Sequence, residues 1–314
     1  MAGSDVLPMG RVTLTSATPY LSADVTAATT VYYTPATGDG VPQWNGSTFV
    51  FTNFTESSQA LGDTTLSPAA AAASSVYDLF VWTPSTVPVV SRGPAWTSAT
   101  SRGTGAGTSE IALVKGLYSN ANAITNGPAA GYGTYVGTIA TDASTKLNMT
   151  FAPAGAAGGS SNRLDVWNMY NRSQVSSRNF DNTTTWNYTT ETWRAKHGNA
   201  NNACNFVLGM PDPMVQAVNY GNGVSTTAAG AAFGIGLDST SSNHADTGFQ
   251  WIFPASNKWT GGSAFWSGMP GSGSHYLCPL EIAEASGTTT WFGSGTATGA
   301  HLWGNSIFRI ILDM

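Results

Sequence analysis

Hydrophobic and polar positions along this chain alternate in short runs with a period of two, the repeat of a half-buried strand. Arg11-Val-Thr-Leu-Thr alternates, and Thr30-Val-Tyr-Tyr-Thr is β-branched and aromatic, as strands prefer. Pro35 and Thr37-Gly-Asp-Gly40 end that second run, and Gln43-Trp-Asn-Gly46 sets Asn-Gly between aromatic runs, a strong hairpin signal. Further strands are predicted at Ser75–Trp82, Ile111–Val114, Gly133–Ile139 and Leu164–Tyr170. The set is completed at Asn205–Gly209, Phe233–Asp238, Phe249–Phe253, Tyr276–Ile282, Thr288–Phe292 and Ser306–Leu312. In Trp186–Trp193 the alternation puts Trp186, Tyr188, Thr190 and Thr192 on one face and Asn187, Thr189, Glu191 and Trp193 on the other.

Only Ala69–Ala73 favours a helical turn, and no amphipathic period extends it. The stretch Phe151-Ala-Pro-Ala-Gly-Ala-Ala-Gly-Gly-Ser-Ser161 has no large apolar side chain between Phe151 and Leu164 and reads as a linker. The expected architecture is therefore all-β: a smaller N-terminal β-region over 1–152, a Gly/Ala/Ser linker over 153–162, and an antiparallel, jelly-roll-like β-sandwich over 163–314.

Composition changes this picture in one respect. Charged residues make up 9% of the 314 positions, against roughly 25% in an average soluble domain. Thr, Ser, Asn and Gly take their place, and 11 Trp, 11 Tyr and 13 Phe argue against disorder. The net charge of -5 and the absence of any Lys/Arg run speak against a phosphate-tracking surface, so no nucleic-acid partner is expected. No run approaches the length of a membrane span, so no membrane insertion is expected. No basic-then-apolar start announces a secretory signal. Cys204 and Cys278 are expected to be reduced core thiols, a disulfide being the less favoured alternative. Asn-x-Ser/Thr sequons at Asn45, Asn53, Asn148, Asn171, Asn182 and Asn187 follow from the abundance of those residues.

Catalytic constellations are hard to find. His197, His244, His275 and His301 have no metal-ligand spacing, and His244-Ala-Asp246 reads as a loop. Glu281 and Glu284 form the one close glutamate pair, but three residues apart on a strand they would face opposite ways, unsuited to paired-carboxylate chemistry on a glycoside. Gly103-Thr-Gly-Ala-Gly107 lacks the spacing of a dinucleotide or phosphate loop. No catalytic residue, metal or cofactor is assigned. Arg172 and Arg178, close to Asp181, and Arg194 with Lys196 are expected to pair within one subunit, the alternative being a bond between subunits.

An ordered set of motifs carries a resemblance. It comprises Arg11-Val-Thr-Leu-Thr-Ser, the run Ala23–Pro35, Ser91-Arg-Gly-Pro-Ala-Trp-Thr-Ser98 with Arg102-Gly-Thr-Gly-Ala-Gly-Thr108, Asn126-Gly-Pro-Ala and Gly133-Thr-Tyr-Val-Gly-Thr. Trp167-Asn-Met-Tyr-Asn-Arg172, Trp186–Arg194 and Ile235-Gly-Leu-Asp-Ser-Thr240 continue it. Together they resemble virion structural proteins of tailed bacteriophages and prophages, the fibre, tail and minor capsid type, over 11 to about 240.

The resemblance implies a particle component at the virion surface, made in the bacterial host cytoplasm, without catalytic residues. Charge-poor contacts are little screened by salt, which suits a permanent assembly. A homotrimer is the first expectation, with major capsid or tail proteins as partners. Tyr32, Tyr33, Trp44 and Phe49, with Arg172, Arg178 and Arg194, are the interface candidates. The alternative is a tail-fibre or baseplate adhesin for a host surface glycan. There Trp259, Phe265, Trp266, His275 and Tyr276 would supply stacking and hydrogen bonds.

Overall fold

The computed structural model describes residues 7–252, 258, 260–294 and 306–314. Nearly every regular element in it is a strand; two single-turn 3-10 helices, Lys196–Gly198 and Ala200–Asn202, are the exceptions among the described residues. The chain is all-β and sandwich-like, as its alternation predicts.

Two larger sheets build the C-terminal layers. In one, Gln174–Asn179, Ile307–Asp313, Val215–Ser225, Thr260–Gly268 and Gly248–Phe249 lie side by side, and Thr289–Phe292 bridges Val215–Ser225 to Thr185–Tyr188. In the other, Gly273–Ala283 is central, paired with Ala231–Leu237 along one edge and with Arg194–Ala195 and Cys204–Leu208 along the other. Alternation fixes which side chains enter the space between them. Val215, Ala217 and Asn219 point inward from one strand, Ala264 and Trp266 from its neighbour, and Phe308, Ile310 and Leu312 from the third.

Phe233 of the facing sheet stacks at a tilt on Trp291, centroids 4.6 Å apart. Glycine makes the room: a Cβ on Gly221 would lie 2.7 Å from the Phe233 ring, and one on Gly223 would lie 2.9 Å from Trp291. Asn219, fully buried, rivets the layers by donating to the Gly234 carbonyl at 2.9 Å and the Leu280 carbonyl at 3.0 Å. A buried amide stabilises only when its bonds are made, and both carbonyls are in place.

The N-terminal half forms a three-stranded sheet (Gly10–Thr13, Thr30–Pro35, Ser57–Ala60), a hairpin (Gly40–Trp44 with Phe49–Asn53) and a sheet centred on Val76–Trp82 and Thr134–Ala140. The hairpin turn sits at Asn45-Gly46 as expected. Asn45 Oδ1 accepts from the Ser47 and Thr48 amides at 2.9 Å, and Gly46 takes the left-handed φ of 96° that favours glycine.

The two halves are woven together through the stretch that reads as a linker. Asn162–Leu164 pairs backward with Leu147–Met149 and forward, in parallel, with Cys204–Leu208. Val25–Ala28 joins the same sheet through Leu147–Met149. Within 153–162, the Gly158 amide donates to Asp181 at 2.9 Å and the Ser160 amide to Asn179 at 3.1 Å. Small residues are there because backbone and amide side chains pack closely: a Cβ on Gly159 would lie 2.1 Å from Asn202 Oδ1. A single cluster of buried apolar side chains runs from Val12 to Met314. Arg11 fastens the N-terminal strand to the Met314 carbonyl at 2.7 Å, and Val12 N donates to Asn168 Oδ1 at 2.6 Å.

Two local expectations are corrected. Ala69–Ala73 is irregular, because its backbone groups bond distant partners: Arg92 takes the Ala69 carbonyl at 2.6 Å, and the Ala71 amide donates to the Leu61 carbonyl at 2.7 Å. The alternating run from Trp186 stops as a strand at Tyr188, whose hydroxyl donates to the Thr192 carbonyl at 2.7 Å and closes a turn.

Candidate functional site

In so charge-poor a chain the ionisable groups are concentrated, and the densest cluster lies at the 3-10 turn. Glu281, fully buried, accepts from Trp186 Nε1 at 2.8 Å and pairs with Arg194 at 2.7 Å. Burial pushes the Glu281 carboxyl above its ordinary range, and Arg194 and Trp186 oppose that push. His197 stacks on Trp186 at 4.6 Å and bonds Asp181 through Nδ1 at 2.7 Å. Its backbone adopts a left-handed φ of 57°, uncommon for a side chain of that size. Burial raises the Asp181 carboxyl, but bonds from Thr183, Gly158 and His197 outweigh it and bring it below the usual range.

Lys196, buried beneath the Phe233 ring, donates to Asn219 Oδ1 at 3.1 Å and to the Tyr220 carbonyl at 3.0 Å. Desolvation lowers its ammonium to about 8, against the pull of Glu281 and Asp181. Every group here is committed to another within the fold. The cluster clamps the 3-10 turn between the sandwich layers; it holds no free nucleophile.

A second network does the same work in the N-terminal half. Asp78, fully buried, accepts from Arg102 Nε at 2.7 Å, Trp96 Nε1 at 3.0 Å, Ser109 at 2.6 Å and Thr138 at 2.7 Å. Arg102 also donates to the Gly209 carbonyl, and its guanidinium lies 4.2 Å from the Trp96 ring centre.

The predicted receptor residues do not converge. Trp266 is 2% exposed and donates its indole N–H to His244 Nδ1 at 3.2 Å. His275 is buried and bonds Asp238 at 2.8 Å, and Tyr276 packs beside Trp193 against a small buried cluster of Ala195, Ala203, Cys278 and Leu280. Phe265 alone projects outward, 51% exposed. Trp259 lies outside the described residues. The reason is register: Ala264, Phe265 and Trp266 belong to a strand, so adjacent aromatics face opposite sides.

The interface candidates divide likewise. Tyr33 is core, stacked on Phe54 at 4.8 Å with its hydroxyl accepting from the Gly10 amide. Tyr32, Trp44 and Phe49 are half-buried. Arg194 pairs with Glu281 and Arg172 lies 3.8 Å from Asp212, both within the chain. Glu284, the other member of the glutamate pair, accepts from the Gly230 amide at 2.7 Å. Cys204 and Cys278 are free and buried, and burial raises each thiol to about 12. No group of three or more metal-ligating side chains occurs among the described residues.

Two surfaces stand apart from these closed networks. The first is the outer face of the C-terminal sheet, where Val218, Tyr220, Phe265, Ile307 and Ile311 point away from the core. On that face Arg178 lies directly opposite Arg309 across neighbouring strands, and Val218 and Phe265 follow in the same row. Neither arginine has a carboxylate partner among the described residues. The Arg309 Nε is buried without a hydrogen bond. Like charges placed opposite each other on a sheet destabilise it.

The second surface is a groove of about 450 Å³ beside the Gly40–Asn53 hairpin, walled by Trp44, Trp82 and Tyr132. Sequence reasoning missed it because its walls come from three separate segments. No known protein-family model matches the chain, and no curated protein is similar to it.

Proposed function

We propose that this chain is a non-enzymatic structural protein of a bacteriophage virion surface, a capsid decoration, cement or head-fibre component. It self-associates, three copies being the expected number, and contacts major capsid or tail proteins of the particle. The observation that carries the reading is the outer face of the C-terminal sheet. It carries the exposed Phe265 and the half-buried Val218, Ile307 and Ile311 around an arginine pair with no carboxylate partner among the described residues. Asp313 stands on the same face, two alternations beyond Arg309. A second copy can therefore answer both the apolar area and the charge. The motif resemblance over residues 11 to about 240 supports the same reading.

A tail-fibre or baseplate adhesin for a host surface glycan is the second reading, and the aromatic groove favours it. Gold-labelled antibody against the chain, applied to intact particles and viewed by electron microscopy, separates the two. Label over the whole head supports a decoration or head fibre, and label confined to the tail supports the adhesin. Particles that carry no label overturn both.

A further inference from the structure

The hairpin groove has the chemistry of a binding site that is neutral, aromatic and fixed in place. Trp44 and Trp82 come from strands on two different sheets and Tyr132 from the turn before Thr134–Ala140. Tyr132 is 40% exposed. Its hydroxyl lies over the hairpin turn, where a Cβ on Gly46 would come within 2.8 Å of it. Lys115 holds Trp44 from outside the groove, its ammonium 5.2 Å from the indole centre and donating to the Ser47 carbonyl at 2.9 Å. None of the lining residues is charged.

The polar groups are set as rigidly as the rings. Asn45 Oδ1 is spent on the turn amides, which leaves its Nδ2 as an oriented donor. Thr83 donates its hydroxyl to Gln43 Oε1 at 2.8 Å, and Gln43 Nε2 donates to the Val81 carbonyl at 3.3 Å, so the Thr83 oxygen is left as an acceptor. Trp82 Nε1 is itself buried and has no hydrogen-bond partner among the described residues, so Trp82 offers the groove its ring rather than its N–H. The volume falls within the roughly 300–1,000 Å³ of small-ligand sites, which pair apolar walls with a few placed polar groups. Groups held before the ligand arrives cost little ordering on binding.

We propose that this groove binds a neutral oligosaccharide. A sugar ring offers an apolar C–H face to an indole or phenol and hydroxyls that both donate and accept. Flat rings, one amide donor and one hydroxyl acceptor match it without any charge. A charged saccharide or an acidic peptide finds no counter-ion among the lining residues. The inference deepens the adhesin reading but moves its site from the C-terminal aromatics to the N-terminal hairpin, and it does not depend on where in the particle the chain sits.

The test is saturation-transfer NMR on the full chain with a panel of glucose-, galactose-, mannose- and N-acetylglucosamine-based neutral oligosaccharides, followed by titration of any that bind. Transfer to at least one is expected, with affinity roughly tenfold or more weaker in Trp44→Ala, the loss expected of a central aromatic contact. Tyr132→Phe, which keeps the ring, is expected to bind within a few-fold of wild type. Met269→Ala, exposed just beyond the strand Thr260–Gly268, is expected to leave binding unchanged. No transfer to any panel member overturns the proposal, as does binding that survives Trp44→Ala intact or is lost in Met269→Ala. A proline-rich decapeptide that competes for the groove while the sugars do not also overturns it, since such peptides dock on aromatic grooves.

Discussion

The hairpin Gly40–Asn53 and the strand Thr260–Gly268 are both short aromatic-and-glycine segments, yet they use their aromatics in opposite ways. In the second, strict alternation against the long strand Val215–Ser225 buries Trp266 in the sandwich and exposes Phe265. In the hairpin Gly40–Gln43 is buried, while Trp44 is half-buried and Val50 and Phe51 are exposed. The difference lies in what covers each sheet. A seven-stranded layer with a second sheet across it closes over its inward side chains, whereas a two-stranded ribbon has too little area to do so. Aromatic content alone therefore does not mark a recognition surface; the number of neighbouring strands decides.

The largest test of that contrast is Trp266→Ala. It removes a buried indole between sheets and is expected to cost about 3–5 kcal/mol in urea unfolding. A loss under about 1 kcal/mol would place Trp266 at the surface and break the comparison. Next is Glu281→Gln, which leaves Trp186 without its carboxylate and Arg194 without its charge partner. A loss of about 2–3 kcal/mol is expected, less than for a wholly buried pair because Arg194 is partly solvated.

A smaller effect reads the same core through pH. Lys196 is held at about 8 when folded, below its ordinary 10.5. Below pH 8 both states carry the proton and the fold bears the full desolvation cost. Between about 8 and 9 the folded state releases the proton while the unfolded chain keeps it, so stability rises with pH. Above that the buried thiols, raised to about 12, pull the other way. Wild type should therefore gain unfolding free energy relative to Lys196→Met from pH 8 to 9. A difference that stays constant, or that moves against wild type, would mean that Lys196 is hydrated. Smallest is Trp44→Ala, expected to cost less than about 1 kcal/mol because its ring is not enclosed; the same urea measurement checks it.

Much of the fold was legible from the chain. Ser75–Trp82, Gly133–Ile139, Tyr276–Ile282 and Ser306–Leu312 alternate or run apolar with β-branched residues, and each lies on a strand. Val215–Ser225 and Thr260–Gly268 escaped because Asn219, Gly221, Gly223 and Gly262 take inner positions that apolar side chains would otherwise mark. Those glycines look like turn residues until the rings of Phe233 and Trp291 are seen to need the space. In the stretch 153–162 part of the small-residue pattern has the same reason, since Cβ atoms on Gly155, Gly158 and Gly159 would meet Asn182, Asn199 and Asn202.

The sites were less legible still. Glu281 finds Arg194 at a separation of 87 residues, and the groove gathers Trp44, Trp82 and Tyr132 from three segments. Only the long-range pairing brings such residues together, and no local pattern encodes it.

The central claim is that the chain assembles through the outer face of its C-terminal sheet, and sedimentation velocity of wild type beside Phe265→Lys tests it most directly. The account predicts an oligomer for the wild type at micromolar concentration. It predicts a monomer for the variant, with near-UV circular dichroism unchanged, because a third cation then faces the pair Arg178 and Arg309. A wild type that sediments as a monomer throughout, or a variant that keeps the wild-type oligomer, would contradict it.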